Sequence, residues 1–197
     1  LYFFLMLYPP RWVADPRART AAAAGGSILL RREALERIGG VAAVKSEIID
    51  DCALAAAVKK SGGKIWLGLT RASVSLRRYT RFREIRDLIA RVAFTELRYS
   101  FFLLLGTLAG LFVVYLLPWV IFFAYPGEAW LLVDTTAALM AASFVGTVKF
   151  YGLSWVWALT LPAAALFYAY ATCLSAVRYW LGRGGQWKGR AQAPQAP

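Results

Sequence analysis

Three long apolar stretches constrain the fold of this chain more than any other feature of its sequence. They run at about residues 101–124, 129–148 and 153–177. A helix of about 20 apolar residues crosses the hydrocarbon core of a membrane, so each stretch is long enough to span it. Pro118 and Pro162 lie in the first and third stretches, where we expect kinks of the kind that membrane helices tolerate. The sequence therefore predicts about three transmembrane helices.

The distribution of charge predicts how these helices are oriented. The net charge is +12, most basic residues precede the first stretch, and the turn at 125–128 contains none. Because cytoplasmic loops are rich in Lys and Arg, we expect the region before the spans in the cytoplasm and this turn outside. Three crossings would place Arg178 and Arg183 outside, against that tendency, so two crossings remain an alternative. Asp134 lies near one end of the second stretch, either at the interface or as a functional carboxylate within the membrane.

Three glycine pairs punctuate the region before the apolar stretches. A short apolar run, Ser27–Leu30, follows the first pair and is predicted to be a strand. Helical spacing over Arg31–Ile38 ends at the second pair, and a helix that begins at Asp50 ends at the third. Residues 64–69 are predicted to form another strand. Alternating strands and helices indicate an α/β layer, whose ligands gather at loops beyond the strand ends.

The residue types restrict the chemistry. The chain contains no histidine, which excludes His-based triads, zincin motifs and histidine proton relays within it. A general base must therefore be a carboxylate, a lysine or a tyrosine. Cys52 and Cys173 are the two cysteines, and their spacing suggests packed thiols rather than a disulfide framework or a metal site.

The order of features over residues 21–70 carries a family resemblance. The chain reads GGSILLRREALERIGG, then an acidic pair at Asp50-Asp51, then a glycine pair followed by Lys-Ile. This order resembles the acceptor-side half of the catalytic domain of glycosyltransferase family 2. The resemblance implies an α/β fold, the C-terminal half of an A-type glycosyltransferase domain, followed by an α-helical transmembrane region. It also implies transfer of a sugar from a nucleotide-sugar donor with inversion of configuration.

The resemblance implies roles for individual residues. Asp51 matches the second member of the family's acidic pair, the catalytic base, and Asp50 would orient it. Gly25, Gly26 and Ser27 would let the backbone approach the donor and the acceptor. Taken without the surrounding block, an acidic pair at this position is more typical of a helix cap, in which a carboxylate accepts backbone N–H bonds.

Shorter segments extend the resemblance over nearly the whole chain. LYPPRWVADPR, LRRYTRFREI, KFYGLSWVWA and GRGGQWKGR look like the hopene-associated glycosyltransferases, a membrane branch of that family. This implies an acceptor hydroxyl on a hopanoid or another membrane lipid, and an integral protein of a bacterial inner membrane with a cytoplasmic catalytic part. The alternatives are a transferase similar to polysaccharide synthases, and a non-enzymatic membrane scaffold or transporter subunit.

Two family motifs are missing from the sequence. The family binds Mg or Mn through an Asp-x-Asp motif in an earlier half, and no Asp-x-Asp occurs here. The chain is therefore interpreted as a C-terminal fragment, and the divalent metal expected in the complete enzyme has no ligands within it. The QxxRW motif that lies near the sugar diphosphate is also absent. Arg91 is its nearest counterpart for diphosphate binding, with Arg81 and Arg78 as rivals.

A basic amphipathic helix is predicted before the first apolar stretch. Its apolar side chains lie on one arc, and its arginines lie away from that arc: Phe82, Ile85, Leu88, Ile89, Val92 and Ala93 form the first group, and Arg83, Arg86 and Arg91 the second. The pattern is typical of a helix at the membrane surface, whose arginines meet anionic lipids. A helix that caps the soluble domain is the alternative, and nucleic acid is not expected as a partner.

These expectations give four regions. They are the acceptor-side catalytic part at 1–75, the interfacial helix at 76–100, the transmembrane helices at 101–177, and a basic tail at 178–197 with a disordered end.

Overall fold

The computed structural model describes residues 1–74, 79–125, 127, 130–184, 186–187 and 190–191. Its contacts divide the chain into two compact units, Leu1–Arg78 and Tyr79–Pro197, called unit 1 and unit 2 below. The disordered end predicted for the tail lies outside the described residues. The four predicted regions stay predictions.

Unit 1 is built from short helices and extended segments. Its helices are α1 (Tyr2–Leu7), α2 (Pro10–Ala14), α3 (Arg32–Arg37), a 3-10 helix (Val41–Val44) and α4 (Asp50–Lys60). Val13 from α2, Ala22 and Leu67 form a buried cluster. Phe4, Tyr8, Cys52 and Ile65 pack against that cluster. The core therefore joins the N-terminal helices to α4 through two extended segments.

Glycine pairs end helices α3 and α4 of unit 1, as the sequence predicts. At the end of α4, Gly62 has φ +84° and donates its N–H to the carbonyl of Lys59 at 3.1 Å, while Gly63 donates to the carbonyl of Val58 at 2.9 Å. This pair of bonds is the Schellman arrangement, which requires a left-handed residue after the helix. A Cβ on Gly63 would lie 2.8 Å from the Val58 carbonyl oxygen. Helix α3 ends in the same way at Gly39.

The predicted α/β fold is wrong for the described part of the chain. The runs at 27–30 and 64–69 form no strand, and the one ladder among the described residues joins β1 (Gln186–Trp187) to β2 (Arg190–Ala191), two residues each. Side chains in the second run alternate in burial, since Leu67 is buried in the core while Trp66 is 77% exposed. That alternation comes from packing an extended segment against a helical core, and it does not require a neighbouring strand.

Unit 2 contains the long helices. They are α5 (Phe82–Glu96), α6 (Phe101–Leu111), a π-helical segment (Phe112–Leu116), α7 (Leu117–Ala124), α8 (Trp130–Phe150), a 3-10 helix (Trp155–Thr160) and α9 (Leu161–Trp180). Three stretches are long and apolar enough to cross a membrane: Phe101–Ala124, Trp130–Phe150 and Trp155–Trp180. They are called the first, second and third apolar helices below. The long apolar helices suggest that the protein associates with a membrane.

The two prolines act differently in these helices. Pro118 lies in the first turn of α7, directly after the π-helical segment. Proline has no N–H to donate, and a widened turn accommodates the break in hydrogen bonding. Pro162 lies in the first turn of α9, where no hydrogen bond is lost. Where the sequence predicted a kink at Pro162, the structure therefore has the first turn of α9.

Helix α5 packs along α9. Its buried side chains are Ile89, Ala90 and Phe94, and Phe94 is 1% exposed. Phe82, at the start of α5, is 82% exposed, although its ring edge lies near the ring of Phe167 on α9. The predicted apolar arc is therefore divided between a face against α9 and an exposed face. The membrane-surface position of α5 stays a prediction.

Candidate functional site

The acidic pair begins α4 and contacts the first glycine pair. Asp51 Oδ2 accepts the N–H of Gly25 at 2.8 Å, and Asp51 Oδ1 accepts the N–H of Cys52 at 2.8 Å. The first bond joins residues 26 positions apart in sequence. Asp51 is half-buried, so both carboxylate oxygens are oriented by backbone donors while the group stays accessible.

Glycine at position 25 permits this close approach. A Cβ at Gly25 would lie 3.0 Å from Asp51 Oδ2, which is tighter than nine in ten real Cβ contacts. A Cβ at Gly26 would meet no atom within 4 Å. The two glycines therefore differ, and the contact with Asp51 constrains Gly25 alone.

Asp50 has a local contact. Its side chain is exposed, and Oδ1 accepts the N–H of Asp51 at 3.0 Å. A carboxylate in the first turn also interacts favourably with the positive end of the helix dipole. Asp50 thus stabilises the turn that presents Asp51, which is compatible with an orienting role and with a structural one.

Ser27 links the glycine loop to a later segment. Its Oγ lies 3.4 Å from Ser73 Oγ, and both side chains are exposed. The loop at 25–27 therefore lies between the start of α4 and Ser73. Gly25, Gly26, Ser27, Asp50 and Asp51 are close together in unit 1.

Lys59 is a residue that the sequence did not single out. Its Nζ donates to the carbonyl oxygens of Trp12 at 3.1 Å, Val13 at 2.9 Å and Thr20 at 2.7 Å. The last carbonyls of a helix have no partner within it, and Lys59 supplies one for the end of α2. A lysine in the last turn of a helix is ordinarily exposed, so nothing in its spacing distinguished it from Lys60.

Helix α4 holds the segment at 20–25 along its length. Lys59 binds the Thr20 carbonyl, Cys52 Sγ lies 3.8 Å from the Ala23 carbonyl oxygen, and Asp51 binds Gly25. The contacts move toward the start of the helix as the segment moves toward Gly25, so the segment runs antiparallel to α4. The position of Gly25 beside Asp51 is therefore fixed from both ends of the helix.

The candidate arginines belong to unit 2. Arg81 is exposed immediately before α5, and Arg91 is half-buried on α5. Arg78 lies outside the described residues. A role for Arg81 or Arg91 in binding a diphosphate stays a prediction, because the site around Asp51 belongs to unit 1.

A charged cluster on α5 and α9 also escaped the sequence analysis. Asp87 Oδ1 lies 2.9 Å from Arg86 Nη2 and 2.8 Å from Arg178 Nη2. Partial desolvation acts to raise the pKa of Asp87, but hydrogen bonds from Arg178 and Arg86 outweigh it and hold that pKa below its ordinary value. Because Arg178 is 91 positions away, the sequence offered no local pattern that pairs it with Asp87.

The described residues do not fit the divalent metal that the resemblance implies. They contain no group of three or more Cys, Asp and Glu side chains close enough to hold an ion. At the candidate site, both oxygens of Asp51 already accept backbone hydrogen bonds.

Comparison with known proteins identifies one family. The sequence profile described as Glycosyl transferase family 21 matches residues 6–191, which includes every candidate residue discussed above. No curated protein matches, and no solved structure matches. The match confirms the predicted class, a glycosyltransferase, while the family is 21 where the sequence resemblance indicated family 2.

Proposed function

Since the chain belongs to glycosyl transferase family 21, we propose that it transfers a sugar from a nucleotide-sugar donor to a hydroxyl group of a membrane lipid. The family supports sugar transfer to a lipid-type acceptor. The three apolar helices support a reaction at a membrane. A hopanoid or another membrane lipid is the proposed acceptor, and a bacterial inner membrane with a cytoplasmic catalytic part is the proposed location.

Asp51 is the proposed general base. The acceptor hydroxyl gives its proton to the Asp51 carboxylate while its oxygen attacks the anomeric carbon of the donor. The nucleoside diphosphate leaves with the electron pair of the broken bond, and the single displacement inverts the configuration. The observation that carries this assignment is the 2.8 Å bond between Asp51 Oδ2 and the Gly25 N–H, which joins the two conspicuous features of the sequence.

Simple helix capping does not account for Asp51. A capping side chain stands before the helix and binds the N–H groups of its first turn. The residue in that position is Ile49, and its side chain makes no such bond. Asp51 lies inside the first turn and reaches Gly25 on a distant segment, so its carboxylate orders a loop as well as a helix.

The remaining groups have supporting roles in the proposal. Asp50 stabilises the turn that carries Asp51, and the loop at 25–27 lets the substrates approach the backbone. Arg81 or Arg91 would bind the leaving diphosphate. The expected Mg or Mn would need ligands that the described residues do not provide.

The test replaces each carboxylate by its amide in the full-length protein. We expect Asp51→Asn to lower the transfer rate by roughly 10² to 10⁴, because the amide cannot accept the proton. Asp50→Asn is the matched control and should cost much less. The measurement is incorporation of sugar into membrane lipid extract from each of a panel of radiolabelled nucleotide sugars, together with donor affinity.

Folding must be measured beside activity. Asn at 51 has one acceptor oxygen, so it keeps only one of the two backbone bonds of Asp51. Thermal unfolding in detergent therefore shows how much of any loss is structural. A folded Asp51→Asn protein with unchanged transfer rate would remove the base assignment, although the family membership would stand.

A further inference from the structure

The two ends of unit 2 meet in the structure. Arg178, near the end of the third apolar helix, bonds through Nη2 to Asp87 Oδ1 on α5 at 2.8 Å. The N–H of Phe94 on α5 donates to Ser175 Oγ on α9 at 3.0 Å. Helix α5 lies immediately before the first apolar helix in sequence, so these bonds join the entrance of the first apolar helix to the exit of the third.

The packing at this meeting point is apolar and well buried. Phe94, Leu104 and Ala176 form one buried cluster, with one member each from α5, α6 and α9. The rings of Tyr99 and Tyr179 stack with centroids 4.4 Å apart and an interplanar angle of 21°. Tyr99 lies two residues before the first apolar helix, and Tyr179 lies one residue before the third ends.

From these contacts we infer that the start of the first apolar helix and the end of the third lie on the same side of the membrane. The chain between Phe101 and Trp180 then crosses the membrane an even number of times. Three apolar helices are available, so one of them does not cross. This inference concerns topology and does not depend on the proposed reaction.

Helix α9 runs back along the first apolar helix. It packs on α6 and on the π-helical segment further along that helix, and Ala176 meets Leu104 at one end. Helix α5 also packs along α9, with the ring of Phe82 beside that of Phe167. The third apolar helix therefore ends where the first begins.

The arrangement satisfies the charge bias that three crossings violate. Arg178 and Arg183 then lie on the same side as the arginines of α5, which agrees with the excess of Lys and Arg in cytoplasmic segments.

Cysteine labelling in sealed membrane vesicles tests the topology. The background is the full-length protein with Cys52→Ser and Cys173→Ala, so that introduced thiols are the reactive ones. Single cysteines replace exposed residues in four variants: Arg83→Cys, Tyr125→Cys, Tyr151→Cys and Arg183→Cys. Each variant is treated with a membrane-impermeant maleimide in right-side-out and in inside-out vesicles, with detergent-opened vesicles as the measure of full labelling.

The labelling pattern decides the inference. We expect positions 83 and 183 to be labelled from one side, and at least one of positions 125 and 151 from the other. Labelling of 183 from the side opposite to 83 would overturn the even number of crossings. Labelling of 125 and 151 both from the side of 83 would show that no apolar helix crosses, and would overturn the two crossings. A variant that loses transferase activity still reports the topology, because labelling does not depend on catalysis.

Discussion

A single hydrogen atom at the Gly25 α-carbon decides how close the backbone comes to Asp51. A methyl group there would lie 3.0 Å from Asp51 Oδ2, so the carboxylate would have to move by a few tenths of an ångström. The neighbouring Gly26 has open space. The role of the glycine pair at this loop therefore belongs to its first member.

This difference predicts the effect of two matched substitutions. We expect Gly25→Ala to lower the transfer rate roughly tenfold, because displacement of a catalytic group by a fraction of an ångström weakens catalysis. Gly26→Ala should retain nearly full activity. The measurement is the lipid-linked transfer rate of the two variants at equal amounts of folded protein. Equal rates would show that the Gly25–Asp51 contact is irrelevant to turnover.

Lys59 allows a prediction about stability alone. Lys59→Met keeps the length of the side chain but removes three bonds to carbonyl oxygens, and we expect a loss of about 2–3 kcal/mol in the free energy of unfolding. Lys60→Met, one residue away on the exposed surface, is the control and should change it by less than about 0.5 kcal/mol. Denaturant unfolding of the detergent-solubilised protein measures both. Similar values for the two variants would contradict the structural role of Lys59.

At the scale of helices and strands, local sequence patterns predicted where helices end better than they predicted which segments pair as strands. The glycine pairs marked where α3 and α4 end, because a left-handed residue after a helix favours glycine. The run at 64–69 alternates between the core and solvent in the structure, yet an extended segment packed on helices needs no hydrogen-bonded neighbour. An apolar run alone therefore does not predict a strand.

The pair of helices α5 and α9 carries a pH prediction. The pKa of Asp87 is lowered in the folded protein. The stability that its ion pairs give to the contact between α5 and α9 is therefore present above the unfolded pKa, near pH 4, and is lost as the pH falls through the folded value. We expect acid to loosen α5 in this way, and Asp87→Asn to loosen it at neutral pH. Hydrogen exchange of the α5 amides measures it, and Glu84→Gln on the same helix is the control. Exchange that is equal in the two variants at neutral pH would contradict the coupling of α5 to α9.

At the scale of the whole chain, the sequence predicted features that depend on neighbouring residues. The apolar helices, the helix that begins at Asp50 and the glycine loop all follow from composition and short spacing. The bonds of Lys59 to Val13 and of Asp87 to Arg178 join residues 46 and 91 positions apart. Without a structure, no spacing rule connects such residues, so the anchoring of the candidate site and the meeting of the ends of unit 2 were not predictable.

The apolar helices should hold the whole protein in the membrane. In the first and second apolar helices, only 17% of the most apolar segment is buried within the molecule. Most of this apolar surface is therefore left for lipid to cover. Surface charges alone would be screened by salt, whereas apolar burial is not. We therefore expect the full-length protein to stay in the membrane pellet after high-salt and alkaline carbonate washes and to be released by detergent. Release by salt would show that the arginines of α5 provide the attachment, and release by carbonate alone would exclude helices that span the membrane.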